Sequence, residues 1–171
     1  MTLADARSRF IQIWGAVGVE WGINRTMAQV HGLLLSCGEA LSTEQVMEAL
    51  SISRGNANMN LRELVNWGLV YRETRPGDRK DYFTAEKDIW EVARKIAAER
   101  RKRELDPLMR TLDQLQKESA VSCSRSREGR QFHKLLADIQ SLGSKSGMLL
   151  DMVCKLDQSA FFKPLMAFMK K

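Results

Sequence analysis

Positions 53 to 62 read Ser-Arg-Gly-Asn-Ala-Asn-Met-Asn-Leu-Arg, a run whose polar groups hydrogen-bond rather than react. A carboxamide can pair with adenine through two hydrogen bonds, a guanidinium can do the same to guanine or hold a phosphate, and a methionine can contact a thymine methyl. Ser53, Arg54 and Arg62 suit phosphates, and Gly55 lets a backbone come close. Asn56, Asn58, Met59 and Asn60 are the candidate base readers, with the match of each asparagine to a base left open. Asparagine is a mediocre helix former, so three at alternate positions give up propensity that plain solvation does not repay. A second cationic group follows, with Arg75, Arg79 and Lys80 around Pro76-Gly77-Asp78.

Groups that could do covalent chemistry are poorly placed by comparison. His31 lies in an apolar segment and His133 beside Phe132, and neither has a serine, cysteine or carboxylate at a catalytic spacing. The sequence shows no glycine-rich phosphate loop and no carboxylate cluster of metal-binding type, so no enzyme, cofactor or metal is expected. Cys37, Cys123 and Cys154 are odd in number and far apart. They are expected to be reduced, packed thiols.

The elements that must hold these groups follow from apolar spacing. Phe10, Ile13, Trp14, Val17 and Trp21 recur every three or four residues and define a first helix, stopped by Gly22 and Asn24. A second apolar helix spans about Thr26 to Leu35. Ser42 and Thr43 offer a hydroxyl cap to a short helix carrying Val46, Met47 and Leu50. After Ser51-Ile52-Ser53, a capped helix places Ala57, Leu61 and Leu64 inward and turns Gly55, Asn56, Met59 and Arg62 outward, with Asn58 and Asn60 on its flanks. Gly68 suits a left-handed C-cap.

From Leu69 the period becomes two, giving strands at 69–74 and 80–84 around a turn at 75–79. Beyond Ala85 a helical pattern returns, with a kink or restart expected at Asp106-Pro107. Residues 119–126, rich in serine, are expected to form a loop. Three further helices are expected beyond it, marked by Phe132 to Ile139, Leu149 to Leu156, and Phe161 to Met169.

This order is mainly α with a small β-hairpin wing, a winged helix-turn-helix with flanking dimerisation helices. Such a recognition helix fits the major groove while the adjacent hairpin reaches the phosphates or the minor groove. The expected organisation is an N-terminal helix at 1–24 that shares in dimerisation, a DNA-binding domain at 25–85, and a helical dimerisation region at 86–171. A helix with Leu105, Leu108, Leu112 and Leu115 on one face cannot bury that face alone, so a second copy is expected against it.

Charge agrees in sign and place. Lys and Arg number 27 against 21 Asp and Glu, a net charge of +6. Residues 1–50 hold three basic and five acidic groups, whereas residues 51–80 hold six basic and three acidic. Residues 94–103 hold six basic groups and one acidic, a run that ordinarily marks a solvated helix face. No secretory leader and no apolar stretch of about 18 residues is seen, so a soluble, cytoplasmic protein without a membrane partner is expected.

Residues 42–83, above all Ile52-Ser53-Arg54-Gly55-Asn56-Ala57-Asn58-Met59-Asn60-Leu61-Arg62-Glu63-Leu64 with Trp67-Gly68-Leu69-Val70, resemble the GbsR branch of the MarR-type transcriptional regulators. Trp21-Gly22-Ile23-Asn24-Arg25-Thr26-Met27-Ala28-Gln29 resembles the same branch. The likeness covers roughly residues 10–110. It implies a homodimer on double-stranded operator DNA, probing successive major grooves about 34 Å apart, and a response to a ligand or stress signal, with repression as the expected outcome. The same resemblance makes a quaternary amine an effector worth testing, with Trp14, Trp21, Trp67 and Trp90 as walls of an aromatic cage. The competing reading is a winged helix used for protein contacts without specific DNA binding.

Overall fold

The structure, a computed structural model, describes residues 1–155, with side chains for all of these except 121–124 and 146–155. The expected terminal helix at Phe161 to Met169 lies outside the described residues, as does the side chain of Cys154. The chain divides into two compact units, Met1–Ile96 and Ala97–Lys171.

Helix α1 (Leu3–Glu20) starts at Thr2, whose hydroxyl accepts from Asp5 N at 3.1 Å while the Asp5 carboxylate accepts from Thr2 N at 2.8 Å. It packs on α2 (Arg25–Ser36), which Asn24 caps through Met27 N. Contact between the two is close at Gly18, where a Cβ would fall 2.5 Å from that of Ala28. Helix α2 buries Val30, His31, Leu33 and Leu34, as its dense apolar sequence predicts.

At the far end of α2 the carbonyls of Leu34, Leu35 and Cys37 are left without helical donors, and Lys87 Nζ donates to all three at 2.7, 3.0 and 2.5 Å. A cation at a helix C-terminus is favoured by the helix dipole as well. Burial lowers the Lys87 pKa below its ordinary range.

Strand β1 (Leu41–Ser42) leads into α3 (Thr43–Leu50), capped by Ser42 rather than Thr43. Ser51 adopts φ 53°, closing α3, and Ser53 caps α4 (Arg54–Asn66) by accepting from Asn56 N at 3.3 Å. Gly68 ends α4 at φ 68°, the left-handed cap expected there. Strands β2 (Val70–Thr74) and β3 (Asp81–Ala85) pair antiparallel from Val70↔Ala85 to Thr74↔Asp81. The sheet order is β1-β3-β2, so the predicted hairpin gains a third strand. Leu34, Val46, Leu61, Leu64, Val70 and Val92 are fully buried at the centre of this unit.

Helix α5 (Ile89–Arg100) passes into a π-helical turn (Arg101–Leu105) and then α6 (Asp106–Ser124). The irregularity expected at Asp106-Pro107 therefore falls one turn earlier. Asp106 N reaches back to Arg101 O, a widening suited to a proline ring that would crowd the turn before it.

Two expectations need correction. Residues 119–124 are helical, because they hold no glycine or proline and α6 packs along α7 (Arg127–Lys155). The turn is only Arg125-Ser126, with the Ser126 hydroxyl accepting from Gly129 N at 2.9 Å. The groups at Phe132 to Ile139 and Leu149 to Val153 share one helix rather than two. Gly143 does not break it, and Met109 of α6 lies against that glycine.

Candidate nucleic-acid interface

Helix α4 is fixed by its inner face, where Ala57, Leu61 and Leu64 are almost wholly buried. That leaves Arg54, Gly55, Asn58, Met59 and Arg62 exposed on the opposite side, with Ser53 exposed at the cap. Met59 is 62% exposed, far more than a core methionine would be. Nothing lies within 4 Å of where a Cβ at Gly55 would be. Arg62 has no ion pair among the described residues, whereas Arg54 pairs with Glu44 of α3 at 2.9 Å. The Glu44 carboxyl is held below its usual range first by its own backbone N–H, then by the Ser42 hydroxyl and the Arg54 and Lys80 charges.

Asn60 is the exception among the predicted base readers: it is 3% exposed and cannot reach a groove. Its Nδ2 donates to the Asn56 carbonyl at 2.8 Å and to Asn56 Oδ1 at 2.6 Å. The reason is helical spacing, since position 60 shares the inward face with 57, 61 and 64. That spacing is legible in the sequence itself. Asn56 is half-buried, and Asn58 is exposed with only a long 3.5 Å contact from Thr43 Oγ1 to its Oδ1.

The wing tip is internally braced. Asp78 accepts from Lys80 N at 3.0 Å and from the Tyr82 hydroxyl at 2.7 Å. The Arg75 guanidinium lies 3.8 Å from the Tyr82 ring centroid. These bonds lower the Asp78 pKa, the Tyr82 hydroxyl contributing most, and raise that of Tyr82. Arg72 pairs with Asp81 at 2.8 Å. Arg79 and Lys80 are exposed and form no ion pair among the described residues, so their charge is available outward. Tyr82 and Arg72 do not stand out in the sequence, because a single tyrosine and one more strand arginine carry no spacing signal.

At the base of the wing, Tyr71 donates to Glu86 at 2.6 Å, and Lys95 of α5 donates to both at 2.8 and 3.2 Å. The Tyr71 hydroxyl and nearby donors hold the Glu86 carboxyl down to about 2. This network joins β2 to α5. The remaining cations of the 94–103 run pair along their own helix: Arg94 with Glu91, Arg100 with Glu104, Lys102 and Arg103 with Glu99, and Arg101 with Asp106. The run is a salt-bridged helix face.

Three of the four tryptophans line one pocket. Trp14, Trp21 and Trp67 line a pocket of about 60 Å³ together with His31, Met27 and Leu64. Trp90 is not part of it and is 48% exposed, so a four-walled cage is not assembled. Trp14 Nε1–H donates to His31 Nδ1 at 3.2 Å, which leaves the neutral imidazole its proton on Nε2. That Nε2 is buried with no partner among the described residues.

Burial, with the Lys87 charge adding to it, lowers the His31 pKa from 6.5 to about 4. The unfolded chain thus binds a proton between those values that the folded chain refuses, so stability is lost as pH falls through that window. Chemical denaturation at pH 7 and pH 5 should show a loss of about 2 kcal/mol that His31→Leu abolishes. An equal loss in the variant would place the effect elsewhere.

Among the described residues, no group of three or more His, Cys, Asp or Glu could hold a metal ion. No helix among them is long and apolar enough to cross a membrane.

Residues 21–81 match the model of the MarR family, and that segment of the chain folds as a winged helix-turn-helix. The HTH-type transcriptional regulator MmpR5 of Mycobacterium tuberculosis (strain ATCC 25618 / H37Rv) is 32% identical over 75 residues, 43% of this chain and 46% of that protein. The chain thus spans about half the length of the curated relative it matches. A solved structure described as the crystal structure of a transcriptional regulator is similar at a TM-score of 0.49 and 24% identity, covering 82% of this chain and 95% of that one.

Proposed function

We propose that this chain is a sequence-specific DNA-binding transcriptional regulator of the GbsR branch, cytoplasmic and without enzymatic activity, acting as a homodimeric repressor on a pseudo-palindromic operator. The observation that carries this reading is the outward face of α4, with Arg54, Gly55, Asn58, Met59 and Arg62, beside a wing whose Arg79 and Lys80 have no internal ion pair among the described residues. Groove-reading groups and phosphate-binding cations then lie on neighbouring elements of one unit.

Gel retardation against genomic fragments tests it. If each subunit of a dimer neutralises about four phosphates, log affinity should fall against log salt with a slope of about −7. Arg79→Ala should weaken binding to all sequences alike and flatten that slope by about 0.9 for each phosphate no longer neutralised. No retardation even at low salt would favour a module for protein contacts. A slope unchanged in Arg79→Ala would remove the wing from the interface.

A small-molecule effector is proposed for the Trp14, Trp21 and Trp67 pocket, supported by the three indoles that line it. Indole faces suit a quaternary ammonium. Calorimetry with glycine betaine and with choline tests this. No heat from either would eliminate the amine.

A further inference from the structure

Asparagine amides are ambiguous readers, because the same side chain presents an acceptor or a donor according to how it is turned. In α4 that ambiguity is removed by a main-chain atom. The Asn56 carbonyl can only accept, so the Asn60 side-chain atom 2.8 Å from it is the amide nitrogen. The same nitrogen lies 2.6 Å from the Asn56 side chain, so the Asn56 atom facing it is the oxygen. Asn60 is 3% exposed, so this oxygen is turned toward a buried side chain. The Asn56 Nδ2 diverges from the same carbon and donates to no described residue.

We infer that Asn60 is a positioning residue for base selection: it locks the Asn56 amide with its NH2 group outward, so that Asn56 reads an edge of adjacent acceptors, guanine first, and favours it over adenine. The inference rests on the DNA-binding reading above. Adenine recognition by asparagine needs the oxygen and the nitrogen side by side, to accept from N6 and donate to N7. Here the oxygen is engaged, so an outward NH2 can donate to adenine N7 alone with the N6–H₂ donor beside it, and adenine keeps one bond where guanine offers two. Guanine offers N7 and O6 as adjacent acceptors, and thymine offers O4. Asn56 is the third residue of α4, in the N-terminal part of a recognition helix that meets base edges. Asn58, held only by the 3.5 Å contact from Thr43, keeps the freedom to turn that Asn56 has lost.

The test is selection of duplexes from a randomised pool by the full chain and its variants, with the base preference read position by position. Asn56→Ala identifies the position that Asn56 controls, as the one where discrimination is lost. There the wild type should enrich guanine over adenine by about tenfold, within the range of a good base contact. Asn60→Leu, close in size and apolar for a buried site, should cut that ratio to about one or below and leave other positions and the salt dependence unchanged.

Asn56→Asp does not depend on refilling the core. Its carboxylate still accepts from Asn60 but turns an acceptor outward, and the preference should move to cytosine, whose N4 donates. Adenine enriched by the wild type at that position, or an identical profile in Asn60→Leu, would overturn the inference. Absence of any enriched duplex would instead remove the regulator reading on which it rests. The amide pair itself is read without DNA, as slowed exchange of the Asn60 side-chain protons by NMR. Free exchange there would also overturn it.

Discussion

Glutamate at both Leu108 and Leu115 should convert the proposed dimer to a monomer and lower operator affinity by about two to four orders of magnitude, the range lost when two linked contacts become one. Both leucines lie on α6, seven residues apart, and are 52% and 40% exposed. Helix α7 adds a second apolar stripe of Phe132, Leu135, Ile139 and Leu142, all exposed and spaced as one helical face. Such stripes leave water only against another apolar surface, and a second copy supplies one of matching kind. Leu112, which sequence spacing ranks with them, is half-buried, so a charge there would disturb its own subunit first. Sedimentation velocity should show half the mass with an unchanged circular dichroism spectrum. A double variant that stays dimeric would move the interface off this face.

Gly55→Ala should act in opposite directions on two measurements. Alanine is a better helix former than glycine by up to about 1 kcal/mol, and a methyl at position 55 meets nothing within 4 Å, so thermal stability should rise. Binding to DNA should nevertheless weaken by about 1 to 3 kcal/mol, the cost of pressing an extra methyl into a close-packed contact. Nothing among the described residues requires glycine at this position. A variant that is more stable and binds DNA undiminished would exclude close backbone approach at position 55.

Much of the candidate interface is legible in the sequence because its determinants are local. The Ser53 cap, the inward positions 57, 61 and 64, the Gly68 terminus and the two wing strands each follow from a few neighbouring residues. What escapes depends on partners distant in sequence. A two-residue strand such as Leu41-Ser42 has no periodicity, and only pairing with Phe83 and Tyr82 defines it. Nothing near Lys87 announces that it closes a helix more than fifty residues earlier. The serines of 119–124 are indifferent to helix or loop, and packing on α7 decides. Asn60 is a different kind of miss, because a polar side chain on an apolar face suggests one that reaches outward, when an amide four residues earlier satisfies it in place.

The braced wing tip bears on the speed of encounter. With Arg75 seated on Tyr82 and Asp78 bonded at both ends of its carboxylate, the hairpin tip is held in one shape by its own side chains, and on the proposed reading it would meet a duplex without first having to order. On the proposed reading, its exposed cations then act through long-range attraction that speeds arrival. On the same reading, residence on a preferred site would be left to the groups of α4, proposed above to tell one sequence from another.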